Sequence, residues 1–275
     1  MVNSSDPKCG GRRIQGYSKQ SRPDNPLVSI ITAVYNGEQF LGQTVASIVE
    51  QTYPNFEYIV IDGGSTDGTV GILQRFDHQI DYWVSEKDNG ISDAFNKGIC
   101  LAQGDYIMFQ GDGDGFIAPD SLAQLMVGID PTHEQIVCGR IQRTSLQGEI
   151  LYTSRPWKKF SKYSLLFRMS LPHQGLLTHR SLFERYGVFD DKLRFSMDYE
   201  HLLRAYKEFP KVVLKNTVVA RWRCDGVGNN RTLDVLGEYD QIKRKNHVAP
   251  NLILTLIHRW TLLKYQIKTM LGHHD

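Results

Sequence analysis

The chain has 275 residues, 41% of them hydrophobic and 23% charged, a globular composition rather than a disordered or fibrous one. Thirty-two Lys and Arg against 30 Asp and Glu leave a formal charge of +2, too slight for a protein built around a nucleic-acid backbone. Cys9, Cys100, Cys138 and Cys224 are scattered, which excludes a cysteine zinc site and a dense disulfide framework.

Residues 1–26 are polar and basic, with no apolar stretch of signal-peptide length, and are expected to form a mobile arm. No uncharged apolar run of membrane-spanning length follows, so the expected compartment is the cytoplasm. Leu27 to Val34 is short, apolar and β-branched and predicts a buried strand. Phe40, Leu41, Val45, Ile48 and Val49 then fall on one helical face. Strands are predicted at 56–61, 80–84 and 106–109, and helices at 69–76 and 91–101. Such nearly continuous apolar strands alternating with helices predict an open α/β sheet covered on both faces.

In such a sheet, ligands bind beyond the carboxyl ends of the strands. Three of these ends carry polar clusters, 32–38, 62–67 and 112–114, and all three are expected on one sheet edge. The second half predicts helices at 120–127, 181–186 and 198–206, a hairpin from 136–143 and 149–152, and a strand at 212–219. No linker separates it, so it is expected to extend the sheet and supply an acceptor-side wall. The expected division is an arm at 1–26, one catalytic domain at 27–240 and a tail at 241–275.

Asp112-Gly113-Asp114 places two carboxylates after an apolar strand, a donor set suited to Mg²⁺ or Mn²⁺, although a solvated Asp-Gly turn has the same look. Asp62 can accept from a nucleobase, and Asp67 can serve a ribose or cap the next helix. Asp198 opens a helix, either as a cap or as a general base, with Glu200 as an alternative base or acceptor-binding group. His173-Gln174 can put polar groups on the cleft wall or be structural.

In order along the chain, Val28-Ser29-Ile30-Ile31-Thr32-Ala33-Val34-Tyr35-Asn36, Asp62-Gly63-Gly64-Ser65-Thr66-Asp67-Gly68-Thr69, Asp88 to Gly98 and Gly104-Asp105-Tyr106 resemble the family 2 glycosyltransferases. The resemblance spans about residues 27–225. It implies the GT-A fold: a single open, mostly parallel sheet flanked by helices, with an acceptor-side extension. It also implies inverting transfer of a sugar from a UDP- or GDP-sugar to a glycan or polyprenyl-linked acceptor, with Mn²⁺ or Mg²⁺, in cell-surface polysaccharide synthesis. A nucleotidyltransferase and a non-catalytic nucleotide-sugar-binding protein are the alternatives.

Carried over residue by residue, Thr32, Val34, Asn36 and Glu38 line the nucleotide pocket and Asp62 faces the base. Asp93 helps hold the sugar nucleotide, while Asp112 and Asp114 hold ribose, diphosphate and metal. Asp198 is the general base, and His173 and Gln174 border donor sugar and acceptor. Arg221 or Arg223 is a possible contact to the leaving diphosphate, the bland reading being surface charge. Two departures stand out: Gly113 replaces an expected acid, and Met197 replaces an acid before Asp198.

The tail carries Lys243, Arg244, Lys245, Arg259, Lys264 and Lys268 against Asp275 alone, with apolar residues in helical rhythm from Ile253 to Met270. It is expected either to lie on an anionic membrane surface as a peripheral anchor or to pack on the domain or a subunit partner.

Overall fold

The computed structural model describes residues 7–133, 135–224, 226 and 231–271. Its centre is four parallel strands: β2 (Val28–Val34), β3 (Phe56–Asp62), β4 (Tyr82–Ser85) and β5 (Tyr106–Gly111), in the order β4-β3-β2-β5. Alternate residues of β2 enter different layers. Val28 and Ile30 pack with Leu41, Val45 and Ile48, whereas Ile31 packs with Phe95 and Ile99. The first layer is covered by α1 (Leu41–Val49), α2 (Thr69–Arg75) and α4 (Ser121–Met126), the second by α3 (Ile91–Leu101) and α5 (Arg180–Tyr186). Burial on both faces explains why these strands are apolar without alternation.

Beyond β5 the same sheet continues through β9 (Leu176–His179), β7 (Gln135–Thr144) and β10 (Lys211–Arg223) to β6 (Gly115–Phe116). β9 is antiparallel to both β5 and β7, whereas β10 runs parallel to β7. β8 (Ile150–Thr153) pairs antiparallel with β7 and forms the predicted hairpin. The sheet is therefore mixed, with its parallel part carrying the polar strand ends.

The expected mobile arm differs from the described residues. β1 (Lys8–Gly10) pairs antiparallel with β4 at the sheet edge. Arg12 then pairs with Asp81, and Arg13 with Glu57, whose carboxylate also accepts from the Ser29 hydroxyl and the Gln103 N–H. The basic residues that look solvated in sequence neutralise buried acids at the start of β3 and just before β4. Residues 1–6 of the expected arm lie outside the described residues.

The boundary expected at 240 falls inside α7 (Thr232–Lys245), which precedes the tail helix α8 (Asn251–Met270). Ile242 and Leu254 join Tyr199, Leu203 and Tyr206 in a third apolar cluster. That cluster fixes α7 and the start of α8 to α6 (Met197–Arg204).

Candidate active site

Because β2, β3 and β5 are parallel and in register, Val34, Asp62 and Gly111 end side by side. The three polar clusters therefore meet, as expected. Asn36 adopts φ +52 and its Oδ1 accepts from Thr66 N at 2.9 Å. The Glu38 carboxylate accepts from Gly68 N at 2.6 Å, and Glu38 N donates to Asp67 at 3.0 Å. Asn36 and Glu38 thus latch the 62–69 turn against the turn after β2.

Two expected pocket side chains are directed elsewhere. Thr32 is fully buried, and its hydroxyl is 3.1 Å from the Tyr58 hydroxyl. Val34 packs in the first apolar layer. Both precede the point where β2 leaves the covered sheet, so their side chains belong to its core. Tyr35, the next residue, is 64% exposed and presents an aromatic face at this edge. It lay inside the quoted opening segment, but sequence alone did not single it out. Asp62 is fully buried and accepts from Ser65 N, the Ser65 hydroxyl and the Ser85 hydroxyl. Its carboxylate shapes the turn. Asp93 accepts from Asn89 N at 3.0 Å and closes the loop entering α3. The neighbouring Ser92 hydroxyl meets Met197 Sδ at 2.8 Å, joining α3 to the start of α6.

The Asp112-Gly113-Asp114 turn is built by α1 and β10. The Thr44 hydroxyl donates to Asp114 O and accepts from Gly113 N. Asp114 is buried, with Oδ1 accepting from Arg223 N and Oδ2 from Gly111 N and Gln174 Nε2, each at 3.2 Å. Burial, acting against these donors, pushes its pKa up to about 7. A buried carboxylate so destabilised in its charged form is one that a cation would relieve. Asp112 lies close by, its carboxylate 2.8 Å from where a Cβ on Gly37 would stand. Among the described residues no group of three or more His, Cys, Asp or Glu is gathered for a metal. The donor set fits a hard cation completed by phosphate oxygens and water, which is how Mg²⁺ is commonly held.

Gly113 has φ +84, and a Cβ there would stand 2.0 Å from Arg223 Nη1. The Arg223 guanidinium lies 3.7 Å from the centroid of Phe40, the residue capping α1. A side chain at 113, such as the acid expected there, would collide with the Arg223 guanidinium. Arg221, on the same strand face, lies near Gly115. In sequence Phe40 shows only as a helix-face residue. Its role depends on contact with a strand more than 180 residues later.

Asp198 is in the first turn of α6. Its Oδ1 accepts from Tyr199 N at 2.8 Å, and its Oδ2 lies 3.8 Å from His173 Nδ1. His173 stacks on Phe109 with centroids 5.1 Å apart. Burial lowers its pKa against the opposing pull of Asp198, which favours the neutral imidazole. The turn from His173 to Gly175 therefore touches both acidic centres, Asp198 through His173 and Asp114 through Gln174. Glu200 does not join them. It is 1% exposed, paired with Arg204 at 2.5 Å and Lys245 at 3.3 Å. Two positions along a helix turn a side chain by roughly 200°, so Glu200 faces away from Asp198 and is corrected from candidate base to structural ion pair.

The model of the family described as glycosyl transferase family 2 matches residues 29–189. An uncharacterized glycosyltransferase of Mycobacterium tuberculosis is 34% identical over 213 residues, covering 75% of this chain and 78% of that protein. A PGL/p-HBAD biosynthesis glycosyltransferase of Mycobacterium bovis is 28% identical over 244 residues, covering 86% and 91%. Among solved structures, S. aureus TarS 1–349 in complex with UDP-GlcNAc superposes with a TM-score of 0.64 at 16% identity, covering 86% of this chain and 71% of that one. The mannosyltransferase PcManGT of Pyrobaculum calidifontis, in complex with GDP-Man and Mn²⁺, gives 0.62 at 22% identity, covering 92% and 74%. These likenesses assign the GT-A-like fold, with extra strands and helices beyond its core.

Proposed function

The chain belongs to glycosyl transferase family 2, and from that premise we propose that it transfers a sugar, with inversion, from a nucleoside diphosphate sugar to a hydroxyl of a glycan or polyprenyl-linked acceptor. One observation carries this reading: the His173-Gln174 turn bridges a buried acidic turn suited to a donor diphosphate and a carboxylate suited to deprotonating an acceptor. The UDP- and GDP-sugars named with the TarS and PcManGT structures support a sugar-nucleotide donor.

Tyr35, exposed next to the turn latched by Asn36 and Glu38, offers its ring to the base. Asp112 and Asp114 would hold Mn²⁺ or Mg²⁺. The cation, when bound, offsets the charge gathering on the leaving diphosphate. Arg223, held over Phe40, supplies a second positive group on that side. Asp198 Oδ2 takes the proton of the acceptor hydroxyl as its oxygen bonds to the anomeric carbon. The bond from that carbon to the phosphate oxygen breaks, and its electron pair leaves with the nucleoside diphosphate. His173, held neutral by burial, places no imidazolium beside the Asp198 carboxylate.

The test is product analysis after incubation with UDP- and GDP-sugars, Mn²⁺ or Mg²⁺, and polyprenyl-linked or glycan acceptors. The expected result is an acceptor heavier by one sugar together with free nucleoside diphosphate. Release of inorganic pyrophosphate, the mark of nucleotidyl transfer, would contradict the proposal.

A further inference from the structure

We propose that α8 is a docking surface for an anionic phospholipid bilayer, lying along its plane. This goes beyond the transfer reading and stands without it. In α8, Leu252, Leu256, Trp260, Leu263, Ile267 and Met270 are each 46–85% exposed. At 3.6 residues per turn they share about 80° of arc over roughly 27 Å. This stripe is separate from the face that holds the helix to the protein, where Leu254 and Ile257 are buried. From His258 to Leu271 no residue of the described chain is buried. The second half of the helix therefore carries its apolar stripe uncovered, well beyond its point of attachment.

Charge decides what covers it. Arg259 and Lys264 flank the stripe on either side, Lys268 stands further round, and residues 251–271 contain no acid. A second copy docked through the same stripe would bring like charges together without a countercharge. An anionic lipid surface supplies the countercharge along both flanks and a hydrocarbon boundary for the stripe. Trp260 is of the type enriched at such interfaces. No described helix is long and apolar enough to cross a membrane, so the helix lies on the surface.

The experiment is co-sedimentation of the full chain with phosphatidylcholine vesicles, with and without phosphatidylglycerol. The wild type is expected to bind the anionic vesicles, and less so in high salt. The triple variant Trp260→Ser, Leu263→Ser, Ile267→Ser should partition about tenfold less or weaker still. Its melting temperature should stay unchanged, since Leu254 and Ile257 are kept. Arg259→Glu with Lys264→Glu should remove the preference for anionic vesicles. Val127→Ser, at an exposed apolar position far from α8 in sequence, should bind as wild type. Equal sedimentation of wild type and triple variant would overturn the proposal. So would a wild-type dimer, seen by light scattering, that the triple variant dissolves while neither form binds vesicles.

Discussion

Gly113 and Asp114 show how much chemistry depends on one atom's room. An alanine at 113 would meet the αL penalty of about 1–2 kcal/mol and displace the Arg223 guanidinium. Gly113→Ala is therefore expected to slow transfer as Arg223→Ala does, with the double variant little worse than either single one. Native rates in Gly113→Ala, or additive losses, would contradict that placement. At Asp114 burial raises the pKa from 3.8 to about 7. Between those values the folded chain holds a proton that the unfolded chain has lost, so this group's contribution to stability falls as pH rises. Asp114→Asn should remove that slope. In metal-free buffer the wild type is expected to lose melting temperature relative to the variant as pH goes from 5 to 8, and saturating Mn²⁺ should restore it. Parallel profiles would show that Asp114 is not the destabilised carboxylate. The sequence displayed both acids of this turn and Asp198, because acids after an apolar strand or at a helix start stand out. It did not display that Glu200 turns toward Arg204 and Lys245, or that Thr32 lies inside a covered sheet. Those facts depend on which face a neighbour covers.

At the scale of elements, the apolar strands and α1, α2 and α3 were legible from local pattern, to within about two residues at their ends. The pieces that were not legible form through distant partners. β1 is three residues long and exists only because β4 has a free edge. β9 is four residues inserted between β5 and β7. α7 holds the loop before Asp198, since Glu238 accepts from Arg194 N and Phe195 N. Gly237 near its middle obscured its helical pattern. The Arg12–Gln15 turn that follows β1 straps this segment to the sheet, with a measurable weight. Arg13→Met strips the cation from a carboxylate that is 2% exposed, and losing one partner of a buried pair costs about 3 kcal/mol. For a chain of this size that corresponds to roughly 6–12 °C in melting temperature. A shift under about 1 °C would mean that the strap is not coupled to the sheet.

Across the whole molecule, the turn after β5 and the amino end of α6 lie more than 80 residues apart in sequence and are joined by two residues between them, His173 and Gln174. The order of motifs pointed to a nucleotide-sugar site, but not to this bridge, because His173-Gln174 has no distinctive spacing of its own. In the proposed reaction Asp198 receives the acceptor proton. Asp198→Asn keeps the bond to Tyr199 N, so α6 should form and the melting temperature should hold. The deciding measurement is single-turnover sugar transfer by Asp198→Asn at saturating acceptor, alongside donor affinity. Transfer about 10²–10⁴-fold slower with donor affinity unchanged is the predicted result; near-native transfer would exclude Asp198 as the base.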